Sequence, residues 1–65
     1  MVKFRITKAG SKTSSYARSH KQVYDIVERL TGDAWLAIET SSWAELACIG
    51  EVYETDQILI EVVEE

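Results

Sequence analysis

One histidine and one cysteine, His20 and Cys48, are the side chains of this 65-residue chain best suited to nucleophilic chemistry. A thiol beside an imidazole can form an activated nucleophile. However, His20 falls in the first turn of a predicted helix, and no motif marks a catalytic partner for it. Cys48 lies between Ala47 and Ile49 and is expected to pack in a helix as a small apolar side chain. The sequence therefore predicts no catalytic residues, and we expect a protein that is not an enzyme.

Motifs for cofactors and metals are also missing from the sequence. It contains no glycine-rich phosphate loop and no nucleophile elbow. A structural zinc site takes four ligands, which one histidine and one cysteine do not supply. We therefore expect no cofactor and no metal.

The expected location is the cytoplasm. A lone cysteine cannot form an internal disulfide, and the first residues show no apolar signal segment. The longest apolar run, residues 34–38, is far shorter than the roughly 20 residues that span a bilayer. No membrane partner is predicted.

The charges are divided sharply along the chain. Residues 1–30 carry seven basic and two acidic side chains, a net charge of +5, whereas residues 31–65 carry nine acidic and no basic side chains. Such a division must be resolved by pairing of the two halves, by a charged partner, or by both. Pairing within one fold is the simplest of these resolutions.

The basic segment suggests one binding hypothesis, nucleic-acid recognition through an N-terminal hairpin. Lysines, arginines and hydroxyls contact phosphates, and a two-stranded ribbon can enter a major groove. Against this, the whole chain is acidic, with an isoelectric point near 4.9. The candidate nucleic-acid contacts are Lys3, Arg5, Lys8, Lys12 and Arg18.

The acidic segment suggests a different and leading hypothesis, a protein–protein interaction or inhibitory accessory module. A rigid array of carboxylates can occupy a basic groove of another protein, although it can also serve only to keep a small protein soluble. The partner would be an unidentified protein or a second copy of the chain. The acidic residues of this array are Glu39, Glu45, Glu51, Glu54, Asp56, Glu61, Glu64 and Glu65.

Two tryptophans, Trp35 and Trp43, are a large apolar content for so short a chain. Their default role is to anchor the core. If one of them is exposed, it becomes an interface candidate, because tryptophan is enriched at binding hot spots.

The first half of the chain has clear structural patterns. Residues 2–8 alternate strictly between apolar and polar, which predicts a half-buried strand, and residues 2–18 together predict a β-hairpin. Residues 19–31 predict a helix that begins at a capping Ser19 and ends before Gly32. Its apolar stripe consists of Val23, Ile26, Val27 and Leu30.

The second half is less regular. A second capping box predicts a helix over residues 42–49. Residues 34–39 are either a short strand or a helical turn; helix is the preferred interpretation, with a break near residues 40–41. Residues 51–55 and 58–63 predict two closing strands.

These elements predict a single α+β domain over residues 1–65, in the order β-β-α-α-β-β, with both helices packed on one face of an antiparallel sheet. If the first and last strands are neighbours, Lys3 and Arg5 lie across from Glu61 on the open face. The outer face of the last strand also carries apolar side chains, which makes Leu59, Glu61 and Val63 a candidate interface. Self-association there would add buried area to a thin core.

Overall fold

The computed structural model describes residues 2–65, which form one four-stranded antiparallel sheet and two helices. The strands lie in the order β2-β1-β4-β3, so that the first and last strands of the chain are central neighbours. Their bounds are β1 Val2–Lys8, β2 Ser14–Ala17, β3 Val52–Glu54 and β4 Ile58–Glu64. The predicted α+β fold and its element order are confirmed.

Helix α1, His20–Thr31, begins and ends as its sequence predicts. The amide of Gln22 donates to the Ser19 hydroxyl at 3.3 Å, and the Gln22 side chain accepts from the amide of Arg18 at 2.6 Å. At the other end Gly32 adopts a φ of 70°, and its amide donates to the carbonyl of Glu28. A left-handed residue of this kind satisfies the last helical carbonyls.

Helix α2, Ala34–Leu46, is continuous, and the predicted break near residues 40–41 is wrong. The Thr40 hydroxyl donates to the carbonyl of Leu36 at 2.9 Å, and the Ser41 hydroxyl donates to that of Ile38 at 3.0 Å. Because both hydroxyls bond back into the same helix, the backbone does not break there. Ser42, the first residue of the predicted capping box, lies inside α2.

The end of α2 also differs from the prediction of a helix over residues 42–49. The helix ends at Leu46, and Ala47 already has extended backbone angles. Cys48 therefore lies beyond the helix and is exposed, instead of packing inside it. Its amide donates to the side chain of Glu51 at 2.7 Å.

Both helices pack on the same face of the sheet. The inward side chains of β1 and β4 alternate along the strands and meet the inward stripes of the two helices. Helix α2 approaches α1 closely, and its inward positions are mostly small. The buried core consists of Phe4, Ile6, Ala17, Val23, Val27, Leu36, Ala37, Ala44, Ile58, Ile60 and Val62.

Trp43 holds α2 against the sheet, as its default role predicts. It is half-buried, and its ring meets Phe4 edge-on with ring centroids 6.4 Å apart. A second aromatic contact, to Tyr53 on β3, has a centroid separation of 5.4 Å. Aromatic pairs in such tilted arrangements stabilise beyond the area that they bury.

Candidate interaction surfaces

The first surface is the open sheet face, which is the face without helices. Its residues are Lys3, Arg5, Thr7, Ser14, Tyr16, Val52, Glu54, Leu59, Glu61 and Val63. The strand register places Arg5 opposite Tyr16 on one side and opposite Glu61 on the other. A basic residue from the start of the chain thus meets an acidic residue from its end.

Arg5 and Glu61 form an ion pair, with 2.9 Å between Nε and Oε1. The hydrogen bond from Arg5 lowers the pKa of Glu61 below its ordinary value, and the same bond raises the pKa of Arg5. The prediction that Arg5 lies across from Glu61 is confirmed. Lys3 differs, because its direct partner on β4 is Val63.

Most of the predicted nucleic-acid contacts are engaged within the fold. The Lys3 ammonium lies 4.7 Å from the centroid of the Tyr16 ring, a cation–π arrangement. Arg18 pairs with the carboxylate of Glu65. Lys8 and Lys12 are exposed, and neither forms an ion pair with any residue in the range 2–65.

The predicted interface on β4 is only partly accessible. Leu59 and Val63 lie on the open sheet face as expected, but both are half-buried. Between them lies Glu61, whose carboxylate is occupied by Arg5. The apolar side chains on this surface are therefore separated by a bonded ion pair.

The second surface is the α2 outer face, which consists of Trp35, Ile38, Ser42 and Leu46. These positions recur at intervals of three and four residues, so they form one stripe along the helix. Trp35 is 76% exposed, Ile38 45% and Leu46 84%. Helix α2 is therefore apolar on its buried face and also along the face that points to solvent.

Sequence reasoning found only part of this surface. It marked Trp35 as an interface candidate if exposed, but it missed Ile38 and Leu46. The predicted break at residues 40–41 divided the stripe between two separate segments. The available signal was the helical spacing of 35, 38, 42 and 46, which is visible only when α2 is treated as one helix.

Acidic side chains flank the α2 outer face. Glu39 and Glu45 are the charged residues of α2, which contains no lysine or arginine. The Glu39 carboxylate accepts a hydrogen bond from the Tyr53 hydroxyl at 3.3 Å. Burial, followed by the nearby charge of Glu39, raises the pKa of Tyr53. Glu45 is exposed and has no ion-pair partner among residues 2–65.

An open groove of about 410 Å³ lies between the two helices. Its lining residues are His20, Lys21, Tyr24, Asp25 and Ser41. Cys48 does not line the groove, and no three His, Cys, Asp or Glu side chains in the described part of the chain are grouped to hold a metal ion. None of the helices within residues 2–65 is long and apolar enough to cross a bilayer.

The open sheet face and the α2 outer face are thus the two extended surfaces that the fold positions. On the first, Arg5 is paired with Glu61, and the apolar groups of β4 are half-buried. Its outer strands are more open, since Val52 is exposed and Glu54 is outside any ion pair of residues 2–65. On the second, large apolar groups are exposed between carboxylates. Comparison with known proteins assigns neither surface, since no protein-family model, no curated protein and no solved structure matches this chain.

Proposed function

We propose that the chain is a small non-enzymatic protein-interaction module that binds its partner with the α2 outer face. The observation that carries the proposal is the exposure of Trp35 and Leu46 on one stripe of a firmly packed helix. Large exposed apolar side chains that recur on one face and are rimmed by polar ones are typical of a protein-binding site. By occupying a surface of another protein, such a module can act as an inhibitor or as an accessory subunit.

The distribution of side-chain size on α2 supports this proposal. The inward positions Ala37, Thr40 and Ala44 are small, whereas the outward positions Trp35 and Leu46 are large. Burying a large apolar side chain stabilises a fold by about 1.5–3 kcal/mol. In this domain with a thin core, Trp35 and Leu46 are exposed and do not contribute that stabilisation to the fold. Their exposure is expected if a partner protein buries them on binding.

The tertiary contacts of α2 support it as well. Trp43 fixes the helix to Phe4 and Tyr53, and the buried Thr40 hydroxyl is bonded within the helix. A surface held in one conformation loses little entropy when it binds. Tryptophan on such a surface is the residue type most often found at hot spots.

The acidic C-terminal half contributes charge to the same function. Glu45, Glu51 and Glu54 are exposed, and none is in an ion pair within residues 2–65. Unpaired charges of one sign increase the rate at which an oppositely charged partner is met. The exposed free thiol of Cys48 suits a reducing compartment, and we include the cytoplasm in the proposal.

A second candidate function, nucleic-acid binding through the β1–β2 hairpin, has narrower support. The observation in its favour is that Lys8 and Lys12 are exposed at the end of the hairpin. Since Lys3, Arg5 and Arg18 have partners within the fold, two cations remain for phosphates. Binding through two phosphates predicts a shallow salt dependence: the logarithm of the binding constant should fall against the logarithm of the salt concentration with a slope of about −2.

Site-specific photo-crosslinking tests the leading proposal. A photoreactive residue is placed at position 46 on the α2 outer face or at position 16 on the open sheet face, in cells that express the chain. We expect a discrete protein adduct from position 46, and its loss when Trp35→Ala is added. The matched control is Val52→Ala, which truncates an exposed apolar residue away from α2 and should leave the adduct intact.

The outcomes separate the candidate functions. Adducts from position 16 that survive Trp35→Ala would move the interface to the open sheet face and contradict the proposal. Co-purified nucleic acid that disappears with Lys8→Glu and Lys12→Glu would support the second candidate instead.

A further inference from the structure

We infer that the occupant of the α2 outer face is an amphipathic helix of a partner protein, with an apolar ridge flanked by lysine or arginine side chains. This inference rests on the proposed function and specifies its partner class. It follows from the shape of the surface, from the position of its charges and from the poorer fit of a second copy of the chain.

The shape of the surface fits a helix. Trp35 and Leu46 are eleven residues apart on α2, which places them about 16 Å apart along the helix axis. Three exposed anchors on a ridge of that length match the apolar stripe of a facing helix. An extended peptide would add to a sheet edge, and the two edges of this sheet are β2 and β3, not the helical layer.

The groove between the helices lies beside this ridge. Ser41, which lines the groove, is three residues beyond Ile38 and therefore its neighbour on the helix surface. Tyr24 forms the opposite wall from α1. With a volume of about 410 Å³, the groove has room for an apolar anchor of a helix that lies along α2.

The charges select a basic partner. Since successive residues in a helix are rotated by about 100°, Glu39 and Glu45 lie roughly 60° to either side of the middle of the stripe. Both edges of α2 are therefore acidic, and no basic residue follows Arg29 in the chain. Across the groove, α1 adds one charge of each sign, Lys21 and Asp25. A helix with lysine or arginine on both sides of its apolar ridge meets an opposite charge at each edge.

A second copy of the chain fits less well. A two-fold antiparallel pairing of α2 with itself that places Trp35 against Leu46 is centred between residues 40 and 41. The two Glu39 residues would then lie on the same edge, about 4–5 Å apart along the axis. Like charges placed on the same edge of a helix pair repel, and each copy also carries a net charge of −4.

The test uses the full chain and four synthetic helical peptides of about 20 residues, a length at which designed helices form in water. Three peptides share one apolar ridge and differ only in the flanking residues, which are lysine, glutamine or glutamate. The fourth keeps the lysines but scrambles the apolar spacing. Affinities are measured by fluorescence anisotropy of labelled peptide at low and at high salt.

The lysine-flanked peptide is expected to bind at least about tenfold more tightly than the glutamine-flanked one, with the glutamate-flanked one weakest. Added salt should narrow this preference, because it screens exposed charges. The scrambled peptide should bind no better than the glutamate-flanked one. If it matches the ordered lysine peptide, charge alone explains the binding and the inference is overturned.

Substitutions in the protein show which of its residues cause the preference for lysine and which make the apolar contact. Glu39→Gln with Glu45→Gln should remove most of the preference for lysine over glutamine, whereas the control pair Glu54→Gln with Glu64→Gln should keep it. Leu46→Ser should weaken every ordered peptide at least about tenfold. Circular dichroism confirms that each variant is folded before its affinity is compared.

The inference and the proposed function fail in different ways. Equal binding of lysine- and glutamine-flanked peptides that Leu46→Ser abolishes would overturn the charge inference and leave the proposed function standing. Peptide binding that Trp35→Ala and Leu46→Ser do not affect would overturn both. A dimer in sedimentation that Leu46→Ser converts to a monomer would make a second copy the occupant and overturn the inference.

Discussion

The open sheet face and the α2 outer face both point to solvent, yet their side chains are arranged in opposite ways. On the open sheet face, Arg5 bonds Glu61 and Lys3 lies over Tyr16. On the α2 outer face, Trp35 and Leu46 are mostly exposed, and no cation lies on the helix. The centre of the open sheet face therefore pairs its charged groups, whereas the α2 outer face leaves two large apolar side chains exposed to solvent.

This difference shows how the divided charge of the chain is resolved. Antiparallel pairing of β1 with β4 brings the basic start of the chain against its acidic end, so part of the charge is neutralised inside one sheet. The carboxylates of α2 and β3 do not lie beside a basic strand, because β3 pairs only with the acidic strand β4. A surface that carries unpaired charge beside bare apolar groups is the better candidate for binding.

The two tryptophans give the largest expected contrast. Trp43→Ala should lower the free energy of unfolding by about 2–3 kcal/mol, because it removes the ring that packs on Phe4 and Tyr53. Trp35→Ala should change it by less than about 0.5 kcal/mol, since the side chain is exposed. Urea unfolding measures both values. Equal losses would mean that Trp35 is buried in solution.

A lysine introduced on each surface in turn tests which of the two faces binds the partner. Leu46→Lys should weaken the partner complex at least about tenfold, because it places a charge in the apolar contact. Leu59→Lys on the open sheet face should leave the affinity unchanged, provided that thermal unfolding shows a folded variant. Affinities are measured by titration calorimetry, with either the partner protein identified by photo-crosslinking or the lysine-flanked peptide. The reverse result would exchange the roles of the two faces.

Tyr53 gives a smaller effect on stability at alkaline pH, which comes first from its burial and then from the nearby charge of Glu39. The pKa of Tyr53 is raised above its ordinary value of 10.0. The corresponding stability is therefore fully present below pH 10 and is lost as the pH rises through the folded pKa. Tyr53→Phe should flatten the fall in melting temperature above pH 10, and Glu39→Gln should flatten it partly. An unchanged slope in both variants would show that the pKa of Tyr53 is not raised in the folded protein.

The smallest expected effect on the free energy of unfolding comes from the Arg5–Glu61 ion pair of the open sheet face. The pKa of Glu61 is lowered below its ordinary value of 4.5, so its contribution is present above pH 4.5 and is lost as the pH falls through the folded pKa. Since the pair is partly exposed and screened by solvent, Glu61→Gln should cost only a few tenths of a kcal/mol at neutral pH. The cost should vanish in acid. Glu54→Gln, on an exposed carboxylate outside any ion pair of residues 2–65, is the control.

Local sequence patterns were sufficient to predict the helices and strands that bury a single face. Strict alternation predicted the strand Val2–Lys8, and the Ser19 cap with Gly32 predicted α1 almost to the residue. In both elements the apolar residues occupy a single side, so the period and the buried face agree. Helix α2 lacked that agreement, because it is apolar on two sides and its central hydroxyls resemble a cap. This is also why most of the α2 outer face was missed.

The sequence by itself determined which side chains share a face, because the periods of strand and helix are properties of the local backbone. It also determined the division of charge, which is fixed by residue order. Only the tertiary structure decided that Arg5 meets Glu61, 56 residues away, since strand order depends on how two hairpins join. It likewise decided that Trp43 packs inward while Trp35 faces water. That choice depends on which side of α2 faces α1 and the core, and the small residues Ala37, Thr40 and Ala44 lie on that side.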